Sequence, residues 1–253
     1  MSGGHAHGLY VHARSPVHEL RPECKVAAGL LFVVAVVATR REAVWAFALY
    51  SALLAGATLL ARVPAGFLVR RLTFETPFVA FALLLPFLGG GPRVESLGVS
   101  LSVEGLWAAW NIVVKATLGL WTTTLVAATT AASDVLRGLE RLRVPHVMTA
   151  IAGFMLRYAD LVSGEMRRMA IARAARAYQP RWLWQTKAVA ASTGALFIRS
   201  FERGERVYVA MLSRGFSGRL PDPGGAPAPA AHWAAALALP VAGAAIAVAA
   251  RVV

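Results

Sequence analysis

The sequence predicts an all-α polytopic membrane protein with about five transmembrane helices plus long amphipathic helices on the cytoplasmic side. Hydrophobic residues make up 57% of the 253 residues and charged residues only 15%, which is too apolar for an ordinary soluble domain. Several apolar runs approach the roughly 20 residues that cross a bilayer as a helix. From Ser133 to Arg219, apolar residues instead recur at helical spacing among many arginines. That pattern is typical of helices that lie against a membrane or against each other.

Residues 1–25 are predicted to form a polar N-terminal tail. Four of the six histidines lie there: His5, His7, His12 and His18. Two interpretations remain open, a flexible tail, which we favour, and a loose metal site, because histidine-rich tracts are assigned on composition alone. No apolar core follows the start, which argues against a cleaved signal peptide. We therefore predict a cytoplasmic tail and name no metal ligands in it.

Five apolar runs predict the transmembrane spans. They cover residues 26–39, 43–61, 72–88, 106–131 and 232–250. Between the second and third runs, residues 62–71 carry three arginines, whereas the glycine-rich residues 89–105 carry one arginine and two glutamates. The positive-inside rule then places the N-terminus and the basic segment in the cytoplasm and the C-terminus outside a multi-pass cell (inner) membrane protein. Arg40 and Arg41 go against this assignment, since it puts them at the outer surface.

One charged residue lies inside a predicted span. Lys115 at mid-membrane would cost about 2.5 to 3.5 kcal/mol unless it finds a partner or water. It is therefore either a functional residue or a lysine that extends its flexible stem to an interface. Several threonines share this span, and we expect them to pack and to form hydrogen bonds between helices.

Residues 132–220 predict three helices outside the bilayer. A short amphipathic helix begins near Ser133 and Asp134 and is stopped by Pro145. Apolar residues at helical spacing then predict helices over about 146–178 and 183–212. Residues 222–230, rich in proline, glycine and alanine, predict a linker to the last span. The predicted organisation is therefore a tail at 1–25, spans at 26–131, cytoplasmic helices at 132–220, and a linker with the last span at 221–253.

Charge and motifs limit the function. The net charge is +13, and 15 of the 26 lysines and arginines lie between Ser133 and Arg219 against six acids there. Beside membrane spans, such a cluster favours the positive-inside rule over nucleic-acid binding. Cys24 is the only cysteine, so no internal disulfide can form. The phosphate-binding loop, the nucleophile turn, the zinc helix and the dinucleotide fingerprint are all missing. We predict a non-enzyme without a cofactor, so any ATP hydrolysis belongs to another subunit.

Two helical segments end on the same kind of motif. The first ends on Ala175-Arg176-Ala177 before Pro180, and the second ends on Ser213-Arg214-Gly215. Each arginine then falls near the last turn of a helix between small residues. Compensation of the negative helix end would explain either motif alone. Two copies on consecutive helices predict a paired docking device for an acidic partner in the cytoplasm.

Four segments carry a family resemblance. They are residues 15–25, residues 139–145, the segment from Arg157-Tyr158 to Glu165, and the two small-Arg-small endings. Over about residues 15–220 the chain resembles the transmembrane T component of energy-coupling factor transporters, nearest to the cobalt-transport CbiQ type. The pair of arginine motifs is the most specific part of the resemblance.

The resemblance implies partners and a site. In this family the two motifs end cytoplasmic coupling helices and dock into two ATP-binding subunits of the ABC type. The part in the lipid bilayer holds a substrate-capture membrane subunit, here of the cobalt type. By position, the implied docking residues are Ala175, Arg176, Ala177, Ser213, Arg214 and Gly215. Ala177 stands where the family often has glycine or serine. Because alanine is also small, we expect docking to survive, although the geometry of the helix cap can differ from that of the family.

The leading hypothesis is a non-catalytic scaffold that passes ATP-driven motion to a substrate-binding membrane partner. A secondary transporter or channel with its own substrate path is the alternative, and Lys115 would then be the residue of interest. Within the leading class, cobalt is the expected substrate, and nickel or a vitamin stays open.

Overall fold

The computed structural model describes residues 10–11, 13, 15–90, 92–96, 99–178, 186–218 and 228–252. His5, His7 and His12 lie outside these residues, so the two interpretations of the tail stay open for them. The chain forms two compact units. One contains Leu9–Leu142 and Pro227–Val253, and the other contains Arg143–Ala226. We call them the membrane unit and the coupling unit.

The membrane unit is built from helices and one short hairpin. In chain order its elements are α1 (Pro16–Glu19), α2 (Pro22–Ala38), α3 (Val44–Ala61), α4 (Ala65–Leu72), a 3₁₀ turn (Thr73–Glu75), α5 (Thr76–Leu88), β1 (Arg93–Ser96), β2 (Val99–Ser102), α6 (Val103–Thr129), α7 (Ala132–Arg141) and α10 (Ala230–Val252). The predicted all-α membrane architecture is confirmed. The helix α7 begins one residue before Ser133, and its N-cap is Ala131, whose side chain accepts no capping hydrogen bond.

Among the described residues, three helices are long and apolar enough to cross a membrane. They are α3, α6 and α10, and α4 with α5 makes a fourth if that bent pair is one span. The pair bends by 53°, where the 3₁₀ turn and the Pro77 ring interrupt the helix. The first predicted span corresponds to α2, whose 17 residues reach only about 25 Å.

The glycine-rich segment between α5 and α6 contains the hairpin. The strands β1 and β2 are antiparallel, with Arg93 opposite Ser102 and Ser96 opposite Val99. Gly105 lies against the end of α5, where an added Cβ would come within 2.8 Å of the Pro86 Cα atom. A larger residue at position 105 would push the two helices apart, which explains one of the glycines there.

The core of the membrane unit lies where α2, α3, α6 and α10 meet. Phe32, Tyr50, Leu54 and Leu118 are almost fully buried in one cluster. The Tyr50 hydroxyl donates a hydrogen bond to the Gly243 carbonyl at 3.1 Å and shares another with the Thr39 hydroxyl at 2.8 Å. Because lipid offers no competing donors or acceptors, these bonds fix how α2, α3 and α10 pack.

The coupling unit contains two long helices, α8 (His146–Ala175) and α9 (Lys187–Leu212). The predicted start at 146 and the predicted end at 212 agree with the structure, since Pro145 and the apolar periodicity mark the start of α8. The first helix ends at Ala175 rather than at 178, and the predicted start at 183 lies outside the described residues. The Arg203 Nη2 atom lies 2.7 Å from the Glu165 Oε1 atom, which ties α9 to α8. This hydrogen bond from Arg203 holds the pKa of the Glu165 carboxyl below its ordinary value. The pair therefore stays ionised at neutral pH.

Candidate functional site

The first arginine motif forms a complete helix C-terminal cap. Arg176 is the C-cap of α8, and Ala177 follows in the left-handed region with φ of 57°. The Ala177 N–H donates to the Ala174 carbonyl at 3.0 Å, and the Tyr178 N–H donates to the Arg173 carbonyl at 3.1 Å. These two bonds define a Schellman motif, which satisfies carbonyls at the helix end.

The second arginine motif has the same geometry. Gly215 has φ of 80°, and its N–H donates to the Leu212 carbonyl at 3.0 Å. The Phe216 N–H donates to the Met211 carbonyl, also at 3.0 Å. Arg214 therefore stands directly before the left-handed residue, as Arg176 does in the first motif.

The two caps present their arginines alike. Arg176 and Arg214 are exposed, and within the described residues neither guanidinium has an ion-pair or hydrogen-bond partner. A fork of N–H donors fixed at a rigid helix end can bind carboxylates or carbonyls of a partner. The two caps therefore present two arginine side chains in the same geometry, and each arginine is available to bind a partner.

Sequence reasoning missed one shared feature of the caps. An aromatic residue follows each left-handed residue, Tyr178 in the first cap and Phe216 in the second, and both are half-buried. An apolar residue at this position is the usual companion of a Schellman cap. The repeated pattern of arginine, small residue and aromatic residue was the signal that could have identified them.

Ala177 is the strained position of the first cap. An L-residue other than glycine pays about 1 kcal/mol or more in the left-handed region, so we expect Ala177→Gly to strengthen this cap. The result should be about fivefold stronger protection of the Tyr178 amide against hydrogen exchange. Gly215→Ala should weaken the second cap by a similar factor. Equal protection in wild type and Ala177→Gly would contradict the left-handed conformation of Ala177.

Lys115 lies inside α6 and interacts with the end of α2. Its Nζ atom donates to the Val37 and Thr39 carbonyls, each at 2.9 Å. A cation at the C-terminal carbonyls of a helix is favourable. Lys25 makes the reciprocal contact at the other end, where its Nζ atom donates to the Thr129 carbonyl at the end of α6 at 2.7 Å. Each lysine therefore caps the neighbouring helix.

The threonines of α6 mostly bond within their own helix, which corrects the expectation of bonds between helices. The hydroxyls of Thr122, Thr123 and Thr129 donate to carbonyls four residues earlier. Thr117 is the exception among these threonines, since its hydroxyl donates to Glu75 at 2.7 Å, and Trp121 of α6 donates to Thr58 of α3 at 3.0 Å.

The comparisons identify the family. The family described as CbiQ, cobalt transport protein, matches residues 13–223. The chain belongs to this family. The resemblance predicted from the sequence is confirmed, and the match includes both arginine motifs and the whole of α2 to α9.

Curated relatives of this CbiQ-family chain carry two related names. A protein of Bacillus selenitireducens named energy-coupling factor transporter transmembrane protein EcfT is 28% identical, over 83% of each chain. A Bacillus subtilis protein of the same name is 29% identical, over 83% of this chain and 84% of its own. A cobalt transport protein CbiQ of Rhodobacter capsulatus is 30% identical, over 67% of this chain and 68% of its own. These relatives are named as transporter components and not as catalytic subunits.

Two of the described histidines of the CbiQ-family chain, His18 and His232, form structural hydrogen bonds. The His18 Nδ1 and Nε2 atoms lie 2.7 Å from the Ser15 hydroxyl and 3.0 Å from the Val11 carbonyl. Burial lowers the pKa of His18 below its ordinary value, so the neutral ring is favoured. In the described part of the chain, no group of three or more histidine, cysteine, aspartate or glutamate side chains could hold a metal ion.

Proposed function

We propose that this chain is the non-catalytic energy-coupling transmembrane subunit of an ATP-driven importer. Two ABC-type ATP-binding subunits dock at the caps of α8 and α9, with Arg176 and Arg214 as the central contacts. The observation that carries the proposal is the equivalence of the two caps. Two caps with the same geometry can bind two ATP-binding subunits that share one fold, one subunit at each cap.

The coupling unit is suited to transmit motion. The ion pair between Arg203 and Glu165 links α8 to α9 away from the caps. A displacement of one helix is therefore expected to displace the other. Partly buried pairs of this kind are screened by salt less than exposed ones. The ATP-driven displacement of the caps is thus carried along both helices.

A substrate-capture membrane subunit is the proposed receiver of this motion. Large apolar side chains remain exposed on both helices of the coupling unit, including Ile151, Met155, Phe197 and Phe201. Apolar surface of this kind marks contact with a protein partner or with the membrane. The positive-inside rule supports a cytoplasmic location for the coupling unit and the N-terminus.

Cobalt is the proposed substrate. The description of the family and the name of the Rhodobacter capsulatus relative support it. The capture subunit, rather than this chain, would select the ion, since the described residues supply no metal ligand cluster. Nickel and vitamins are therefore included as arms of the test.

Reconstitution tests the proposal directly. The chain alone in liposomes should neither hydrolyse ATP nor accumulate Co²⁺, and the complex purified from its native membrane should take up one substrate when ATP is supplied. Uptake of Co²⁺, Ni²⁺ and labelled vitamins is compared with and without ATP. Steady uptake by the isolated chain under an ion gradient would instead support a secondary transporter.

A further inference from the structure

The short helix α7 is held on the first turn of α2 by an ion pair between a half-buried arginine and a buried carboxylate. The Arg141 Nη1 atom lies 2.9 Å from the Glu23 Oε1 atom, and the Glu23 side chain is only 5% exposed. Glu23 also sits at the N-terminal end of α2, where the helix dipole favours a negative charge. Losing Arg141 would leave a buried carboxylate without its counter-charge, which is strongly unfavourable.

The backbones of α7 and α2 touch at Gly138. A Cβ atom at this position would lie 3.0 Å from both the Glu23 amide nitrogen and the Pro22 carbonyl carbon. Contact between backbones cannot relax through a change of rotamer. Just before α7, the bond from Lys25 to the Thr129 carbonyl fixes the chain as well. The segment from Thr129 to Arg141 is therefore held at three points on α2.

The chain leaves the membrane unit directly after this attachment. The membrane unit ends at Leu142, and the coupling unit begins at Arg143. The Leu142 N–H closes α7 by donating to the Gly138 carbonyl at 3.0 Å, and Arg143 adopts a left-handed conformation with φ of 66°. Pro145 is then the N-cap of α8. Only three residues thus separate the attached helix from Pro145.

We propose that Glu23 and Arg141 form a positioning pair that anchors the coupling helices to the membrane unit. The inference rests on the proposed function. Motion of α8 and α9 can be transmitted along the chain to the membrane unit only if α7 stays attached to α2. A partly buried ion pair beside a contact between backbones provides such a fixed point. Without the pair, α7 moves with α8, and ATP hydrolysis continues with little transport.

Variants of the intact complex test this anchor. Arg141→Met should retain both ATP-binding subunits, while substrate taken up per ATP hydrolysed falls by about tenfold. The ratio is measured with Co²⁺, Ni²⁺ or a labelled vitamin, whichever the wild-type complex carries. Arg141→Lys keeps the charge and should recover much of the ratio. Arg137→Met is the matched control, because Arg137 pairs with Asp134 of α7 itself at 2.7 Å, and it should leave the ratio unchanged.

A second variant shows whether a loss of transport in Arg141→Met comes from misfolding around an unpaired buried charge or from loss of the anchor. The double change Glu23→Gln with Arg141→Met removes both charges, so no unpaired charge is buried, and it should show the same loss of the ratio. The proposal is overturned if either variant keeps the wild-type ratio, or if uptake falls only together with loss of the ATP-binding subunits. Failure of the wild-type complex to hold these subunits would refute the proposed function instead.

Discussion

Changing Arg176 and Arg214 together to alanine is expected to release both ATP-binding subunits and to abolish uptake. Each arginine is the exposed centre of a rigid cap, and losing one partner of a charged interface contact costs about 2 to 5 kcal/mol. Both positions lie in the coupling unit, so the membrane unit should keep its fold and the proposed capture subunit should stay bound to it. The measurements are co-purification of the ATP-binding subunits and ATP-driven uptake. Each single change should weaken one dock.

Controls for this experiment follow from the ion pairs. Arg168 is exposed, and Arg206 makes a surface pair with Glu202 at 3.9 Å, which contributes little to stability. Changing these two arginines to alanine removes as much positive charge as the double cap variant does, and it should reduce subunit binding and uptake much less. Arg203 is unsuitable as a control because it ties α9 to α8 through Glu165. Arg to Lys at the caps should rescue only partly, since an ammonium lacks the planar fork.

Equal losses in the cap variants and in the control pair would mean that the basic segment acts through diffuse charge. The docking hypothesis would then have to be dropped. Release of the ATP-binding subunits also separates this prediction from the anchor at Glu23 and Arg141. There the subunits should stay bound while uptake per ATP falls.

The long helices could be predicted from the sequence because their signals are local. Pro145 and the apolar periodicity predict α8, which the structure bounds at His146 and Ala175. The hairpin after α5 was not predicted, although β2 alternates apolar and polar residues as Val-Ser-Leu-Ser, because two strands of four residues each give only a short signal inside a glycine-rich segment. The bend before α5 was missed because α4 (Ala65–Leu72) lies in the arginine-bearing segment 62–71, which was interpreted as a connection between spans.

Contacts distant in sequence explain what else was missed. Glu23 and Arg141 are 118 residues apart, and no periodicity relates them. The partners of Lys115 are backbone carbonyls, which carry no sequence signature. For the candidate site, the motifs predicted the helix ends, and the structure adds the shared left-handed geometry. Ala177 shows that alanine can hold the position where glycine is favoured.

Changing Lys115 to methionine is expected to destabilise the membrane unit without removing transport by the molecules that fold. The Nζ atom caps two carbonyls at the end of α2, and one of them belongs to buried Thr39. Leaving a buried acceptor unsatisfied costs about 1 to 3 kcal/mol. Such a loss lowers the Tm of the purified protein by about 2 to 12 °C.

The matched variants decide between a cap and a substrate path. Lys115→Arg keeps a cationic donor and should recover much of the lost Tm, whereas Thr123→Val removes a polar group that bonds within α6 and should change little. Tm and uptake per folded complex are measured side by side. A cap predicts a lower Tm with normal uptake per folded complex. A substrate path predicts the reverse, normal Tm with uptake abolished, and that result would revive the secondary-transporter alternative.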